Sequence, residues 1–209
     1  MAGMEAHQTD PSFGLAGAAS AEREAVAIQV RLAKDDNQAF ETLYRNHVDA
    51  VYRYCFRRVS SSEAAADLTS QIFIKAFTSL QNCDENRFRS WLFTIAHNAL
   101  IDEFRGKRPH ESLDAAVELM SSDPSPEEHV LQNEERLNVM RLLSFLTQDQ
   151  RQVVELRLAG LNGNEIAEVL GRSRGSVDTA QSRAISRLRN VLKQDQTRDA
   201  EWEAPHVSA

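Results

Sequence analysis

Four arginines point outward from a predicted helix near the end of the chain: Arg174, Arg183, Arg187 and Arg189. A guanidinium group suits contact with phosphates and with guanine edges. The apolar residues recur on the other side of the same helix, at Val177, Ala180, Ala184, Ile185 and Leu188. This spacing predicts an amphipathic helix whose basic face could lie against a nucleic acid or could simply be solvated.

The residues before this helix predict the element that would position it. Asn162 can cap a helix, and Glu165 can complete a capping box with it. Gly171 is typical of a helix end, and Ser173 is a suitable cap for the basic helix. Two short helices joined by a three-residue turn, the second helix basic, form the helix-turn-helix pattern of DNA-binding proteins. The alternative is an ordinary helical hairpin with a solvated arginine face.

The charge of the chain is unevenly distributed. The formal net charge of −7 argues by itself against a DNA-binding protein. However, residues 26–110 carry +2 and residues 137–193 carry +4, whereas residues 111–136 carry −7 and the two tails, 1–25 and 194–209, carry −3 each. Because phosphate neutralisation supplies most non-specific affinity, these mildly basic regions predict weak DNA binding by the free protein and the help of a larger partner.

Apolar residues recur at helical spacing through most of the chain, so the predicted fold class is all-α, with two small helical domains. We expect a disordered leader at residues 1–20 and a first helical domain at residues 21–109. An acidic flexible linker at residues 110–127 should join it to a second helical domain at residues 128–193, and an acidic tail should follow at residues 194–209. The first domain should begin with a helix from about Ala21 to Lys34.

Nothing in the sequence predicts catalysis. It has no phosphate-binding glycine loop, zinc-ligand set or catalytic triad, and His97 and Asp102, five residues apart on a predicted helix, are poorly aligned to act together. Cys55 and Cys83 are too few for a disulfide framework, and no membrane-length apolar run or secretion signal is evident. We therefore expect a cytoplasmic protein that is not an enzyme and has no metal, cofactor or small-molecule substrate.

Two blocks of the chain resemble bacterial sigma factors of the extracytoplasmic-function (ECF) type. Residues 39–108, with AFETLYRNHVDAVYRYCFRR, AAADLTSQIFIKAF and FRSWLFTIAHNALIDEFRGKR, resemble sigma region 2. Residues 128–193, with LTQDQRQVVELRLAGLNGNEIAEVLGRSRGSVDTAQSRAISRLR, resemble region 4. The resemblance implies a specificity subunit that binds core RNA polymerase, recognises the −10 and −35 elements of promoter DNA and helps to open the duplex. It also implies an anti-sigma factor as a partner.

The resemblance assigns roles to the first block. In this family the face carrying DLTSQIF docks on a coiled coil of the polymerase's largest subunit, which implies contacts from Asp67, Gln71 and Phe73. The polar connector, residues 81–87, corresponds to the loop that captures an unstacked −10 base, which implies Asn82, Asp84, Glu85 and Asn86. Further −10 contacts are implied on the next helix and its basic end, at Asn98, Arg105, Lys107 and Arg108. Trp91 could stack on a base, but its place in the apolar stripe favours core packing.

The resemblance also implies −35 contacts on the basic helix, at Arg174, Ser176, Asp178, Thr179, Arg183 and Arg187. Here the chain departs from the family, in which the position after Val177 is usually basic. Asp178 could accept a hydrogen bond from cytosine, cap a helix or repel DNA. Arg183 could bind guanine or contact only a phosphate.

Two other classes of protein fit parts of this pattern. A free-standing helix-turn-helix regulator with an N-terminal helical domain would bind duplex DNA without polymerase, usually as a dimer. An enzyme with an accessory helix-turn-helix would need the catalytic groups that the sequence lacks. A pull-down with core polymerase followed by run-off transcription separates the three classes.

Overall fold

The computed structural model describes the backbone of residues 11–59, 61–106 and 137–203, and the side chains of most of them. The predicted linker lies outside the described residues. Within them the chain is all helix and turn, as predicted. The helices are α1 (Pro11–Asp35), α2 (Asn37–Val59), α3 (Ser62–Ser79), α4 (Phe88–Gly106), α5 (137–144), α6 (Gln148–Leu158), α7 (Gly163–Leu170) and α8 (Arg174–Glu203). Two 3-10 turns, Leu80–Asn82 and Glu85–Arg87, join α3 to α4 and include the connector.

Helix α1 is longer than the sequence analysis predicts. It begins at Pro11 rather than near Ala21, so the second half of the predicted leader, residues 11–20, is helical. Proline is tolerated in the first turn of a helix, and alanine has the highest helix propensity. Because this stretch has little apolar periodicity, its helical character is hard to recognise from the sequence. Residues 1–10 lie outside the described residues.

The main hydrophobic core connects the two predicted helical domains. In the first, the buried ring of Phe93 in α4 packs edge-on against Tyr54 in α2, with ring centroids 5.6 Å apart. Helix α7 packs on α4, and the same core continues through the buried side chains of Leu156, Leu161 and Ile166. The α4 helix is therefore shared between the first predicted domain and the second.

A buried glutamate adds a polar contact to this packing. Glu155 in α6 is fully buried, and its carboxylate accepts hydrogen bonds from Arg58 Nη1 at 3.0 Å and from Arg151 Nε at 2.7 Å. Arg57 Nη2 donates to the carbonyl of Glu155 at 3.2 Å, and Arg151 Nη2 donates to the carbonyl of Arg57 at 2.7 Å. Burial lowers the pKa of Arg57, and the Glu155 carboxylate opposes that shift. Glu155 thus connects α6 to the end of α2.

Candidate nucleic-acid interface

The predicted helix-turn-helix is present in α7, the turn 171–173 and the start of α8. Asn162 Oδ1 accepts hydrogen bonds from the backbone N–H groups of Asn164 at 2.9 Å and Glu165 at 3.1 Å. Glu165 Oε2 in turn accepts from the backbone N–H of Asn162 at 2.7 Å. This reciprocal pair satisfies amides that the first turn of α7 leaves free, and it confirms the predicted capping box.

The turn is closed by the residues predicted for it. Gly171 has φ 61°, in the left-handed region that glycine adopts without steric cost. The backbone N–H of Arg172 reaches back to the carbonyl of Ala167 at 2.9 Å and ends α7. Ser173 Oγ accepts from the backbone N–H of Ser176 at 3.3 Å and caps α8. The direction of α8 therefore depends on contacts between near neighbours in the chain.

Helix α8 is anchored along one line and exposed along another. Val177 and Ala184 are fully buried; Val177 belongs to the main core with Ala180 packed against it, and Leu188 packs beside Ala184. Ile185, which the spacing places on the buried side, is instead 39% exposed. The candidate −35 residues are all exposed: Arg174, Ser176, Asp178, Thr179, Arg183 and Arg187.

Asp178 forms an ion pair within α8. Arg174 Nε lies 2.9 Å from both carboxylate oxygens of Asp178, one helical turn away. Arg174 Nη1 also donates to Asn164 Oδ1 at 3.2 Å, so the guanidinium connects α8 to α7. Ser173, not Asp178, caps α8, which excludes the capping alternative for Asp178. The pair offsets the positive charge of an arginine at the start of the helix.

A concave polar cleft separates the start of α6 from the exposed side of α8. It is lined by side chains from both helices and the turn, including Thr147, Gln150, Arg172, Ser176, Thr179 and Arg183. Thr147 caps α6 in a capping box with Gln150, and Arg172 forms an ion pair with Asp149 at 2.7 Å. The cleft therefore combines hydroxyls, an amide, a helix N-terminus and arginines, which are the groups that contact DNA backbones.

The connector presents its polar side chains unequally. Asn82, Asp84 and Asn86 are exposed, although one Asp84 oxygen accepts from the backbone N–H of Asn86 at 3.0 Å. Glu85 is different because it forms ion pairs with Arg31 at 2.8 Å and Lys34 at 3.5 Å in α1. The Arg31 guanidinium, which donates to Glu85, holds the pKa of that carboxyl below its ordinary value. Three of the four candidates are thus available to a base edge, and Glu85 is engaged by the protein.

Helix α4 carries the other candidate −10 residues. Asn98 and Arg105 are exposed, and Arg105 lies 3.8 Å from Asp102. Lys107 and Arg108 lie outside the described residues. The partly buried ring of Trp91 packs against the core, 5.9 Å from the ring of Phe88. That contact favours core packing over stacking on a base for Trp91.

The candidate polymerase contacts on α3 divide into surface and core. Asp67 and Gln71 are exposed and four residues apart, as a row on one helix face requires. Phe73 is only 5% exposed and packs edge-on against Tyr44, with ring centroids 4.8 Å apart. In this structure the ring of Phe73 supports the face from the core, and its direct contact with polymerase stays a prediction. Ile74, at 65% exposure, and Phe77, at 44%, are the large apolar side chains that α3 does present.

The histidine and carboxylate considered for catalysis are not partners. His97 Nδ1 lies 3.0 Å from the hydroxyl of Tyr54 in the core, whereas Asp102 is exposed and pairs with Arg105. Burial lowers the pKa of His97 and favours a neutral ring. Among the residues that the structure describes, no cluster of His, Cys, Asp and Glu could hold a metal ion. None of the described helices is long and apolar enough to span a membrane.

Three contacts of the interface region are absent from the sequence prediction. They are the ion pairs of Arg31 and Lys34 with Glu85, the buried carboxylate of Glu155, and the contact of Glu168 in α7 with the start of α4. Glu168 accepts from Ser90 Oγ at 2.5 Å and pairs with Arg87 at 2.8 Å. Partial burial opposes ionisation of Glu168, but the hydrogen bonds from Arg87 and Ser90 outweigh it and lower its pKa. Of these three contacts, only that of Glu155 has a signal in the sequence, because its charged residue stands within an otherwise apolar stripe.

Comparison with known proteins identifies both halves of this arrangement. The Sigma-70 region 2 family model matches residues 43–110, and the Sigma-70, region 4 model matches residues 136–188. The chain is 32% identical over 170 residues to the ECF RNA polymerase sigma factor BldN of Streptomyces coelicolor. The alignment covers 79% of this chain and 64% of BldN. It is 30% identical over 181 residues to the ECF RNA polymerase sigma factor ShbA of Streptomyces griseus. That alignment covers 80% of this chain and 95% of ShbA.

Solved structures agree with this assignment. CnrH, in complex with the cytosolic domain of CnrY, has a TM-score of 0.64 and 25% identity, covering 82% of this chain and 99% of CnrH. The sigma factor RpoE of Bartonella quintana, solved with the anti-sigma factor NepR, has a TM-score of 0.56 at 21% identity and supports the fold alone; it covers 74% of this chain and 96% of RpoE. With two sigma regions in order and an ECF relative matched over nearly its whole length, the chain belongs to the ECF RNA polymerase sigma factors of the sigma-70 family.

Proposed function

We propose that this protein binds core RNA polymerase in the cytoplasm and directs it to promoters through −10 and −35 recognition. The observation that carries the proposal is the match of two helical regions to sigma region 2 and sigma region 4, in order along the chain. As a member of this family the protein is a DNA-recognition subunit rather than an enzyme. In our division of the chain, residues 21–109 serve the polymerase and the −10 element, and residues 128–193 the −35 element. The acidic linker at 110–127 joins them.

The polymerase-binding surface in this proposal is the exposed row on α3. Asp67 and Gln71 offer a carboxylate and an amide that can pair with arginines of a partner helix. Ile74, one turn further along, adds exposed apolar area to the same face. Phe73 holds the row in place from the core.

The −10 element is read in this proposal by the connector and the exposed side of α4. Taking a base out of the stack costs a few kcal/mol, which a pocket must recover through hydrogen bonds. Asn82, Asp84 and Asn86 supply exposed amide and carboxylate groups for this, and Asn98 and Arg105 extend the contact along α4. Lys107 and Arg108 would continue the basic end of this surface.

The −35 element is read in this proposal by the exposed edge of α8. Ser176, Thr179 and Arg183 border the polar cleft between α6 and α8, and Arg187 extends the basic edge. Arg174 is held by Asp178, so its contribution depends on whether DNA breaks that pair. Asp178 could still accept from a cytosine on its free side.

Simultaneous recognition requires the two regions to separate. Elements at −10 and −35 are about 25 base pairs apart, or about 85 Å along B-DNA. A compact chain of this length is only about 45 Å across. Binding both elements would therefore break the contacts between α4 and α7 and the Arg58–Glu155 pair. The packed arrangement is then a polymerase-free state, and an anti-sigma factor is the class of partner that would maintain it.

The test is assembly of a holoenzyme and run-off transcription from a promoter selected by the reconstituted complex. Asp67→Arg should abolish polymerase binding and leave the helical circular dichroism spectrum intact. Asp49→Arg is the matched control, because Asp49 is an exposed carboxylate on α2 outside the row. Duplex binding without any affinity for polymerase would instead identify a free-standing regulator.

A further inference from the structure

Helix α1 lies before residue 43, where the match to sigma region 2 begins, yet it contacts the connector directly. Arg31 Nη2 and Nε lie 2.8 and 2.9 Å from Glu85 Oε2, and Lys34 Nζ lies 3.5 Å from Glu85 Oε1. Both Glu85 oxygens are therefore engaged by α1. Lys34 and Glu85 side chains are only about one fifth exposed, so solvent screens their pairing less than it screens Arg31.

The same helix also binds the connector through backbone groups. Lys34 Nζ donates to the carbonyl of Cys83 at 2.9 Å, and Gln81 Nε2 donates to the carbonyl of Lys34 at 2.6 Å. The Cys83 side chain is itself buried. These contacts form what we call the α1 clamp: Arg31 and Lys34 on one side, and Gln81, Cys83 and Glu85 on the other.

The clamp holds alternate residues of the connector. Positions 81, 83 and 85 form hydrogen bonds or ion pairs with α1, although Gln81 is also exposed, and the exposed side chains at positions 82, 84 and 86 take no part in those bonds. Asn82, Asp84 and Asn86 are the three side chains available to a base. The clamp therefore decides which groups the connector presents and restricts how far they can move, which reduces the ordering cost of binding.

We propose that Arg31 and Lys34 are positioning residues for capture of the −10 base, and that Glu85 is the anchor of the connector rather than a base-reading group. The inference rests on the proposed function of the connector. It assigns a role in promoter opening to α1, which lies outside both matched sigma regions.

Charge reversal and its rescue test the clamp in the full chain assembled with core polymerase. Arg31→Glu and Glu85→Arg should each reduce permanganate reactivity of −10 thymines by about threefold to tenfold, the range for one lost hydrogen bond of ordinary net strength. The double variant Arg31→Glu/Glu85→Arg should recover most of the reactivity and keep the wild-type base preference. Arg45→Glu is the matched control, because Arg45 is an equally exposed arginine in an ion pair within α2.

A second measurement separates positioning from the proposed function itself. Hydrogen exchange of the amides of residues 81–87 in the free protein should speed up in each single variant and return in the double variant. If the wild type forms no holoenzyme, the proposed function fails, and hydrogen exchange still decides whether the clamp exists.

Two results would overturn the inference. If Glu85 reads a base directly, Glu85→Arg will change the −10 preference and Arg31→Glu will not restore it. If the single variants speed exchange of the connector but open the promoter like the wild type, the clamp is only structural. Unchanged exchange in both single variants would show that α1 does not hold the connector at all.

Discussion

The two candidate DNA surfaces are organised in opposite ways. The connector owes its conformation to residues far away in the chain, since Arg31 and Glu85 are 54 positions apart and Arg87 and Glu168 are 81 apart. The recognition helix is held within its own region: Asn162, Glu165, Gly171 and Ser173 belong to its helix-turn-helix, and Arg157 in the nearby α6 donates to Gln181 at 2.8 Å. A surface built from local contacts survives separation of the two regions, whereas one built from distant contacts can change with it.

This difference suits the two tasks that we propose. Reading duplex DNA needs a rigid helix at a fixed angle, which caps and a closed turn supply. Capturing an unstacked base needs a loop that is held in the holoenzyme but can be released from α7. The contacts of the connector and of the start of α4 divide accordingly: those to α1 stay within the first region, and those of Arg87 and Ser90 with Glu168 would break in the separated state that we propose.

The largest expected effect comes from the most distant and most buried contact. Glu155→Ala should reduce the free energy of unfolding by about 3–5 kcal/mol, because it leaves Arg58 and Arg151 without their buried acceptor. Urea denaturation followed by circular dichroism measures it. Asp149→Ala removes an exposed pair on the same helix and should cost at most about 1 kcal/mol. Equal losses in the two variants would mean that burial adds nothing to the Glu155 contact.

A smaller effect is expected at the recognition helix. Arg183→Ala should weaken −35 binding by about 1–3 kcal/mol and relax the preference at one base pair if the side chain reads a base. A phosphate contact would instead lower the affinity equally for all sequences. The dependence of log affinity on log salt concentration would then weaken by about the amount that one phosphate contact contributes. Competition binding of the holoenzyme with −35 variants distinguishes the two. Wild-type binding and discrimination would refute the placement of this helix on DNA.

The local cap should contribute less again. Asn162→Ala removes the acceptor of two α7 amides and should cost about 1 kcal/mol. In a chain of this size that lowers the melting temperature by roughly 2–4 °C. Asn190→Ala, at an exposed position of α8 away from the capping box, is the control and should change it little. A cap variant that melts with the wild type would show that α7 is held by its packing on α4 alone.

What the sequence can and cannot predict follows the same division. The ends of α7 and the start of α6 are predictable because a cap is a pattern of three or four adjacent residues. The α1 clamp and Glu155 are not, because an isolated charged residue on a helix has the same appearance whether its partner is water or an arginine 97 positions away. Phe73 shows the intermediate case: the resemblance implies a contact with polymerase, whereas the structure buries its ring against Tyr44.

The smallest expected effect is the pH response of the α1 clamp. The hydrogen bond from Arg31 lowers the pKa of Glu85 below its reference value of 4.5. The clamp should therefore be complete at pH values above 4.5 and weaken as the pH falls through the pKa of folded Glu85. The carboxyl carbon shift of Glu85, followed by NMR between pH 6 and pH 3 (roughly the acidic range of carboxyl titration), gives the midpoint. Arg31→Ala should move that midpoint upward towards the ordinary value, whereas Arg45→Ala should leave it in place. A midpoint that does not respond to Arg31→Ala would show that α1 does not hold the carboxylate in solution, and the connector would then resemble the recognition helix in depending on its neighbours alone.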